Sequence, residues 1–396
     1  MKIDRIEVIH LKYDYPGRRG FRYAGGVCQG RLTTLVLVHT NDGHVGHGSA
    51  YTHPALAEIV IKQQLEPFLI GEDPCEVENL WDQMYRLTRW YGRKGAVMTA
   101  LGALDTAFWD LRGQSKGKPV YSLLGGKRTT CPAYASALLW REPSELAEEA
   151  AGYVARGFRR MKMRMGRSPD VDRACVLAVR KAIGPDCDFM VDGSMRYSEE
   201  GARQFGKFLA EQKVFWFEEP FPPEQIDSFR KLRGTIGVRL AAGENEFGVQ
   251  GFREWIEGRV IDIAQPDVSR SGGVTETWRI GQLAARHDIP IATHSWSDAV
   301  AVVANAHVVS ALPNGLTVEI DQTGNPMVEE LLAEPFKVVD GEIRLSDKPG
   351  FGIELVQSVV DRLRINAFTQ LENGLYSDMA FGKGSFTPAP AYVDAT

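Results

Sequence analysis

The sequence predicts an α/β protein whose centre is a parallel barrel of βα units, of the TIM type. Two observations carry this prediction. Eight short apolar runs alternate with amphipathic helical patterns over about 200 residues in the middle of the chain. Most of these runs end in an ionisable residue, which is costly to bury unless it pairs with another charge or binds a metal. Because strand carboxyl ends converge on one face of a barrel, the second observation also predicts where the site lies.

The eight strand candidates fall within residues 129–330. They are CPAYASALL, FRRMKMRM, CDFMVDG, VFWFEEP, VRLAAGE, VIDIAQPD, IPIATHS and LTVEID. Strands that alternate with helices pair in parallel, and eight such units close into a barrel. The alternative is an open doubly wound sheet, which is disfavoured because no GxGxxG motif follows the first strand.

The region before the barrel, residues 1–128, has a different texture. It opens with the strand-like segments IDRIEVIHL and TTLVLVHT, and the turn signal NDGH after the second indicates a hairpin. In a later helical stretch, Ala100, Leu104, Ala107 and Leu111 fall on one face. Strands followed by helices predict a separate α+β domain, and the irregular residues 331–396 form a third region.

Composition and charge limit the possible classes of function. The chain has 396 residues and a formal net charge of −5, so neither nucleic acid nor an anionic membrane is expected as a partner. It contains no run of about eighteen apolar residues, and its charged N-terminus lacks the apolar core of a signal peptide. Its five cysteines, without a CxxC pair, predict a reduced cytoplasmic protein.

Three carboxylates at strand ends predict a metal site. Asp192 in FMVDGSM, Glu218 in FWFEEP and Glu244 in AAGENEF follow one another at equal intervals of 26 residues. That interval corresponds to one βα unit, so adjacent strands would point the three side chains at one place. Three hard oxygen ligands, with room for water and substrate, suit Mg²⁺. The alternative is that each acid caps the helix after its strand, which is common for Asp and rarer for Glu.

The next strand ends place a carboxylate beside an imidazole. Asp267 in IAQPDVSRSGG would fix the tautomer of His294 in IATHSW and raise its basicity, which predicts a catalytic base or acid. A single histidine after an apolar strand is otherwise more often structural. Glu319 in LTVEID ends the last strand. It is predicted either to hydrogen-bond the substrate carboxylate in its protonated form or to pair with a cation.

The second strand offers two cations on the opposite side of this face. Alternation places Lys162 and Arg164 on the same face of the strand, with Arg160 one step deeper. Such a pair would bind and neutralise a substrate carboxylate. The alternative is a solvated basic strand end.

Together these residues resemble the enolase superfamily and its mandelate racemase subgroup, over nearly the whole chain. The resemblance rests on the ordered series Asp192, Glu218, Glu244, Asp267, His294 and Glu319. It implies a (β/α)7β TIM-type barrel with an N-terminal α+β capping domain, to which the last region of the chain returns. It also implies Mg²⁺ as cofactor and an even-numbered homo-oligomer. The muconate cycloisomerase branch differs, because it carries a lysine base where this chain has Asp267.

One position departs from the subgroup pattern, in which many members carry Lys-x-Lys on the second strand, with the second lysine acting as a base. Here the pair is Lys162 and Arg164. An arginine has a pKa above about 12 and stays protonated, so Arg164 is predicted to be an electrostatic partner and a poor base. This weakens a two-base racemase and favours a dehydratase. Lys162 remains a candidate second base if Mg²⁺ and Arg164 lower its pKa.

The resemblance implies that His294 removes the C2 proton of an aldonic or aldaric acid. The C3 hydroxyl then leaves, and a 2-keto-3-deoxy acid forms. In this superfamily a capping-domain loop near residue 20 selects the substrate. Here the loop reads YPGRRGFRYAGG, and its candidate contacts are Arg18, Arg19, Arg22 and Tyr23. His47 in GHGSAYTHP is a further candidate, and the alternative for the loop is a mobile, solvated segment.

Three rival functions remain open at this stage. The first is a racemase or epimerase of a 2-hydroxy carboxylate on the same scaffold. The second is a cycloisomerase, which the Asp–His dyad disfavours. The third is a non-catalytic ligand-binding barrel that kept these residues by descent, although such a module would not need a base held by a carboxylate.

Overall fold

The chain begins with an antiparallel sheet in the computed structural model, which describes residues 1–18, 20–23, 26–369 and 379–380. The strands of this sheet are β1 (Ile3–Asp14), β4 (Gly30–Thr40), β5 (Val45–Ala50) and β16 (Arg364–Ile365), in the order β16-β1-β4-β5. A smaller antiparallel sheet joins β2 (Phe21–Tyr23), β3 (Gly26–Cys28) and β17 (Met379–Ala380). β4 and β5 form the hairpin predicted from NDGH.

Helices pack against the first sheet and complete the α+β domain. They are α1 (Pro54–Ile59), α2 (Glu66–Leu69), α3 (Val77–Thr88), α4 (Ala96–Lys116) and α5 (Val120–Leu123), with a π-helical turn at Val60–Leu65 and a 3-10 turn at Pro16–Arg18. The four apolar residues predicted on one face of α4 are all buried. A Cβ at Gly48 of β5 would lie 1.9 Å from the carbonyl oxygen of Ala103, so only glycine permits this close packing of α4 on the sheet.

Eight parallel strands form a closed barrel. They are β6 (Thr130–Ala137), β7 (Arg160–Arg164), β8 (Asp188–Asp192), β9 (Trp216–Glu218), β10 (Arg239–Ala242), β11 (Ile263–Ala264), β12 (Ile291–Thr293) and β13 (Gly315–Asp321). Each pairs with the next in chain order, and β13 pairs with β6 to close the ring. Every predicted strand is therefore present, and the alternative of an open sheet is excluded.

Seven helices connect these strands and give the (β/α)7β order. They are α6 (Pro143–Ala155), α7 (Pro169–Ile183), α8 (Glu199–Glu211), α9 (Ile226–Leu232), α10 (Gly248–Glu257), α11 (Gly273–Ala285) and α12 (Ala299–Ala311), with a 3-10 turn at Pro223–Gln225 before α9. Each buries an apolar stripe against the barrel. In α8 the stripe is Ala202, Phe205 and Leu209, at helical spacing.

The chain after residue 330 contacts both domains. After α13 (Pro326–Glu329) come β14 (Val338–Val339) and β15 (Glu342–Arg344), and β15 pairs with the first barrel strand. Next, α14 (Gln357–Leu363) leads into β16, which pairs with β1 of the capping domain. Residues 370–378 and 381–396 of the predicted third region lie outside the described residues. No described helix combines the length and the hydropathy needed to cross a bilayer.

Candidate active site

Three carboxylates meet at the carboxyl end of the barrel, as the equal spacing predicts. Asp192 and Glu218 end β8 and β9, and Glu244 follows β10 by two residues. Each side chain offers an oxygen, and these oxygens lie within 4.8 Å of one another. Adjacent parallel strands place them there, because each βα unit returns the chain to the same face.

The donor set fits a divalent cation with oxygen ligands. Oε2 of Glu244 is buried and receives no hydrogen bond within the described part of the chain, so one acceptor of the cluster is left for a ligand. Asp192 is oriented by its own turn, where the backbone N–H of Ser194 donates to Oδ1 at 2.8 Å. Carboxylate oxygens without a sulfur or a histidine nitrogen in the set are typical of Mg²⁺ sites.

The cluster holds more negative charge than its surroundings favour. Burial, together with the neighbouring carboxylates, raises the pKa of Glu218 to about 8. Trp216 Nε1 and Gln265 Nε2 donate to its Oε2 at 3.0 and 2.8 Å. Burial alone would also raise the pKa of Asp192, but the charges of Arg164 and Lys162 outweigh it and lower that pKa to about 2.

Both predicted cations of β7 face this cluster. The Nζ of Lys162 lies 2.5 Å from Oε1 of Glu218, 3.1 Å from Oε1 of Glu319 and 3.5 Å from Oδ2 of Asp192. Arg164 forms an ion pair with Asp192. Burial would lower the pKa of Lys162, but Glu218 and Glu319 outweigh it and raise the pKa instead. These contacts favour an electrostatic role for Lys162 over the role of a second base.

The predicted dyad is formed by a short hydrogen bond. Nδ1 of His294 donates to Oδ2 of Asp267 at 2.7 Å, which leaves Nε2 turned toward the carboxylates, 3.4 Å from Oε2 of Glu244. Asp267 is held in turn by the backbone N–H and hydroxyl of Ser269, each at 2.8 Å, and by Nδ2 of Asn305 at 3.2 Å. Burial would lower the pKa of His294, but Glu244, Glu319 and Asp267 outweigh it and raise the pKa to about 9.

Glu319 takes the second of its two predicted arrangements. Its Oε1 pairs with Lys162, and its Oε2 accepts from the backbone N–H of Ser295 at 2.9 Å. Burial would raise its pKa, but Lys162 and His294 outweigh it and lower the pKa to about 2. The side chain is therefore an ionised partner of a cation in this structure, and not a protonated donor.

The capping domain contributes Tyr51 to the site, a residue that was not predicted from the sequence. The ring of Tyr51 stacks on the imidazole of His294, with centroids 6.3 Å apart and planes at 25°. The guanidinium of Arg270 lies over the same tyrosine, 5.5 Å from its centroid. Tyr51 belongs to the stretch GHGSAYTHP, and its position at the end of β5 could have suggested a contact with the barrel.

A second missed residue is Glu219, which follows a predicted metal ligand. It is buried and has a positive φ of 32°, a conformation that is strained for a residue other than glycine. Asn245 Nδ2 donates to its Oε2 at 2.9 Å, and Arg270 donates to Oδ1 of Asn245 at 3.2 Å. The sequence shows only two adjacent glutamates, and strand alternation predicts that one side chain points into the barrel and the other into solvent.

The predicted loop contacts have mixed outcomes. His47 does not join the site, because its Nδ1 lies 2.8 Å from Oδ2 of Asp110 on α4. His47 precedes Tyr51 by four residues, which is a distance of about 13 Å along a strand. It therefore lies far from His294, which Tyr51 contacts at the carboxyl end of the barrel. Arg22 is exposed on β2. The side chains of Arg18 and Tyr23, and the whole of Arg19, lie outside the described residues.

Comparisons with known proteins agree with this geometry. Two family models match the chain: mandelate racemase / muconate lactonizing enzyme, N-terminal domain, at residues 5–125, and enolase C-terminal domain-like, at residues 145–359. D-galactarolactone cycloisomerase of Agrobacterium fabrum is 33% identical over 85% of this chain and 92% of that protein. Arabinonate dehydratase of Saccharolobus solfataricus is 31% identical over 83% of this chain and 89% of that protein.

Further relatives and a solved structure extend these similarities. Three more curated relatives, at 29% to 30% identity, are also named dehydratases of sugar acids. A racemase from Streptomyces coelicolor with bound magnesium is 27% identical, with a TM-score of 0.84 over 92% of this chain and 100% of that chain. The similarity therefore includes a protein that carries magnesium on this fold.

Proposed function

The chain belongs to the mandelate racemase / muconate lactonizing enzyme family of the enolase superfamily, and on that premise we propose that it is a Mg²⁺-dependent dehydratase of acid sugars. The substrate is an aldonic or aldaric acid, and the product is a 2-keto-3-deoxy acid. The named activities of its curated relatives, several of which are sugar-acid dehydratases, support this substrate class.

A single observation carries the proposal. Nε2 of His294, with Nδ1 on Asp267, lies 3.4 Å from a carboxylate of the Asp192, Glu218 and Glu244 cluster. A substrate carboxylate bound at that cluster would bring its C2 proton next to the imidazole. Proximity of this kind is what a base needs in order to act on a weakly acidic C–H bond.

The residues then act in sequence on the substrate. Nε2 of His294 accepts the proton from C2, and the imidazolium that forms is stabilised by Asp267 through Nδ1. A double bond forms between C2 and C3 as the C3–O bond breaks. The hydroxyl leaves as water with the proton that Nε2 returns, and the enol tautomerises to the 2-keto-3-deoxy acid. One imidazole thus serves as base and then as acid.

Charge that develops on the substrate carboxylate is met by cations. Lys162 and Arg164 lie against the carboxylate cluster and would stabilise the enediolate electrostatically. A divalent cation held by Asp192, Glu218 and Glu244 would supply Lewis-acid stabilisation of the same charge. The general pairing of Mg²⁺ with a Lys or His base in this superfamily is an established pattern.

Dehydration is favoured over racemisation because the two faces of the substrate meet different groups. A racemase needs a base on each face of C2. On the β7 side the candidates are Arg164, which stays protonated, and Lys162, whose ammonium contacts three carboxylates. On the opposite side, the imidazole of His294 can release the proton on Nε2 and then accept one from C2.

A second candidate is a cycloisomerase that acts on a lactone of the same sugar acids. The dyad alone disfavours it, but a relative with 33% identity is named a cycloisomerase of galactarolactone. Such an enzyme also removes a proton next to a carboxylate, so the same site would serve. Only the leaving group differs: a ring oxygen in the lactone and a hydroxyl in the open acid.

The test is a screen of aldonic and aldaric acids, and of galactarolactone, with Mg²⁺. A carbonyl reagent for 2-keto-3-deoxy acids reports dehydration of the open acids, and NMR reports ring opening of the lactone. We expect a product from at least one open acid that disappears in His294→Asn. Absence of any product, together with no deuterium uptake at C2 from heavy water, would contradict the proposal.

A further inference from the structure

A run of unpartnered donors surrounds the proposed base. The segment 293–297 reads THSWS, and all five residues are at most 3% exposed. Within the described residues, no partner is found for four of its side-chain atoms: Thr293 Oγ1, Ser295 Oγ, Trp296 Nε1 and Ser297 Oγ. Buried donors normally find an acceptor, so this concentration beside His294 indicates polar atoms that are supplied from outside the protein.

The indole of Trp296 is the most firmly oriented of these groups. Two guanidinium groups lie over its ring, with Cζ of Arg31 at 4.8 Å and Cζ of Arg164 at 5.2 Å from the centroid. Phe21 of the capping domain meets it edge to face, with centroids 6.3 Å apart. Arg31 also donates to the backbone carbonyl of Trp296 and pairs with Asp321 at 2.8 Å. Cation–π contacts hold the ring faces, so the N–H at its edge has a set direction.

The indole lies between the capping domain and the carboxylate cluster. Arg164 reaches from under the indole to Asp192 of the carboxylate cluster. Phe21 belongs to β2 of the capping domain. We propose that Nε1–H of Trp296 donates a hydrogen bond to a hydroxyl oxygen of the substrate's carbon chain, which makes Trp296 a substrate-binding residue that selects polyhydroxylated acids. This inference rests on the proposed function.

A hydroxyl is favoured over the carboxylate as the partner for two reasons. In the proposed function, the substrate carboxylate already interacts with charged groups: Lys162, Arg164 and the cation held at the carboxylate cluster. The neighbours of Trp296 in the run are neutral hydroxyls, which both donate and accept, as sugar hydroxyls do. A site built to hydrogen-bond a hydroxyl discriminates strongly against an analogue that lacks it.

The first test compares Trp296→Phe with Trp109→Phe. Trp109 on α4 of the capping domain is a matched control, because it is buried, lies under Arg112 at 5.0 Å and donates its Nε1–H to Thr275 of the barrel helix α11 at 2.9 Å. For the aldonic acid that the enzyme dehydrates fastest, we expect Trp296→Phe to raise KM about tenfold and to change kcat less than about twofold. The control should change neither. Equal effects of the two variants on KM, or none, would overturn the inference.

The second test observes the donor directly and needs no turnover. The chain has eight tryptophans, so ¹⁵N-tryptophan labelling gives a short spectrum of indole N–H signals. The Trp296 signal is assigned by its loss in Trp296→Phe, or in Trp296→Tyr if the phenylalanine variant does not fold. With Mg²⁺ present, we expect D-galactonate or D-gluconate to move this signal downfield and glycolate, which has no hydroxyl beyond C2, to leave it in place.

The two proposals fail in different ways in this experiment. A shift with an aldonate that is neither dehydrated nor exchanged at C2 supports the role of Trp296 and contradicts the dehydratase. Dehydration without any shift, or an equal shift with glycolate, contradicts the role of Trp296 alone. No shift with any acid of the panel also overturns it.

Discussion

The two sides of the barrel mouth hold their charges by different means. On the cation side, defined by Lys162, Arg164, Asp192 and Glu218, the two cations touch the acidic side chains directly. All four side chains are less than a tenth exposed. Their mutual attraction compensates for the loss of water, so each charge depends on its partners.

On the base side, defined by Asp267 and His294, neutral donors hold the carboxylate of Asp267 in addition to the imidazole. Asp267 accepts from Ser269 and Asn305 in addition to the imidazole. Neutral donors fix the position of a carboxylate without adding a charge that must itself be compensated. The difference indicates that changes on the cation side affect folding and activity together, whereas changes on the base side affect activity most.

The largest expected effect is on activity from the base side. His294→Asn can still donate to Asp267 but cannot take up a proton, so kcat should fall about 10³- to 10⁴-fold. Above about pH 9, where His294 is neutral, the free energy of unfolding should change by less than about 1 kcal/mol, because charge and packing are then nearly preserved. Deuterium uptake at C2 and urea unfolding measure the two quantities. His44→Asn, at an exposed position, is the control, and strong destabilisation by His294→Asn would break the comparison.

The cation side should show the opposite balance. Lys162→Met leaves Glu218 and Glu319 without their cation, and removal of one partner of a buried pair costs about 3–5 kcal/mol. Lys348→Met breaks an exposed pair with Glu334 and should cost less than about 1 kcal/mol. Urea unfolding without Mg²⁺ compares the two variants. A cost for Lys162→Met no larger than that for Lys348→Met would show that the ion pairs do not support the fold.

Mg²⁺ should stabilise the protein through the carboxylate cluster and not through the Asp267–His294 dyad. At about 100 times its dissociation constant, the ion should raise the free energy of unfolding by about 2.7 kcal/mol. Glu244→Gln should remove most of this gain, whereas Asp267→Asn should retain it, because Asp267 is not in the carboxylate cluster. Thermal unfolding with Mg²⁺, or with Na⁺ at equal ionic strength, measures the gain. Loss of the gain in Asp267→Asn would mean that the two sides are coupled.

The smallest expected effect tests the neutral support of the dyad. Asn305→Ala removes one donor from Asp267, so kcat should fall about tenfold while stabilisation by Mg²⁺ persists. Asn314→Ala is the matched control. Asn314 immediately precedes β13, at the amino end of the barrel strands, and its side-chain amide donates to the carbonyl of Ile289. Both variants should lower stability by about 1–2 kcal/mol. Equal kcat values for them would remove the special role of Asn305.

Much of the barrel could be predicted because its information is local. Short apolar runs mark the strands, and an acid at the end of a strand is unusual enough to be noticed. The spacing of Asp192, Glu218 and Glu244 then follows from the regular length of a βα unit. The Asp267–His294 dyad and the Lys162–Arg164 pair could be placed in the same way, since parallel strands all end on one face of the barrel.

The missed residues depend on contacts between distant segments. Tyr51 stacks on the imidazole of His294, and Trp296 lies against the guanidinium of Arg164; neither residue has a charge or a spacing that would indicate it. Glu219 would alternate away from the cluster in a regular strand, but its positive φ ends the alternation. For His47 the prediction failed because a sequence does not show how far along β5 the barrel mouth lies.

The pairing of β16 with β1 has a consequence for how the protein is made. Leu11 and His10 pair with Arg364 and Ile365, so one edge of the first sheet is closed by residues synthesised more than three hundred positions later. A contact of such sequence separation forms slowly, and an open strand edge is prone to associate with other chains. The first sheet of a nascent chain therefore lacks this edge strand until the residues of the whole barrel have been synthesised.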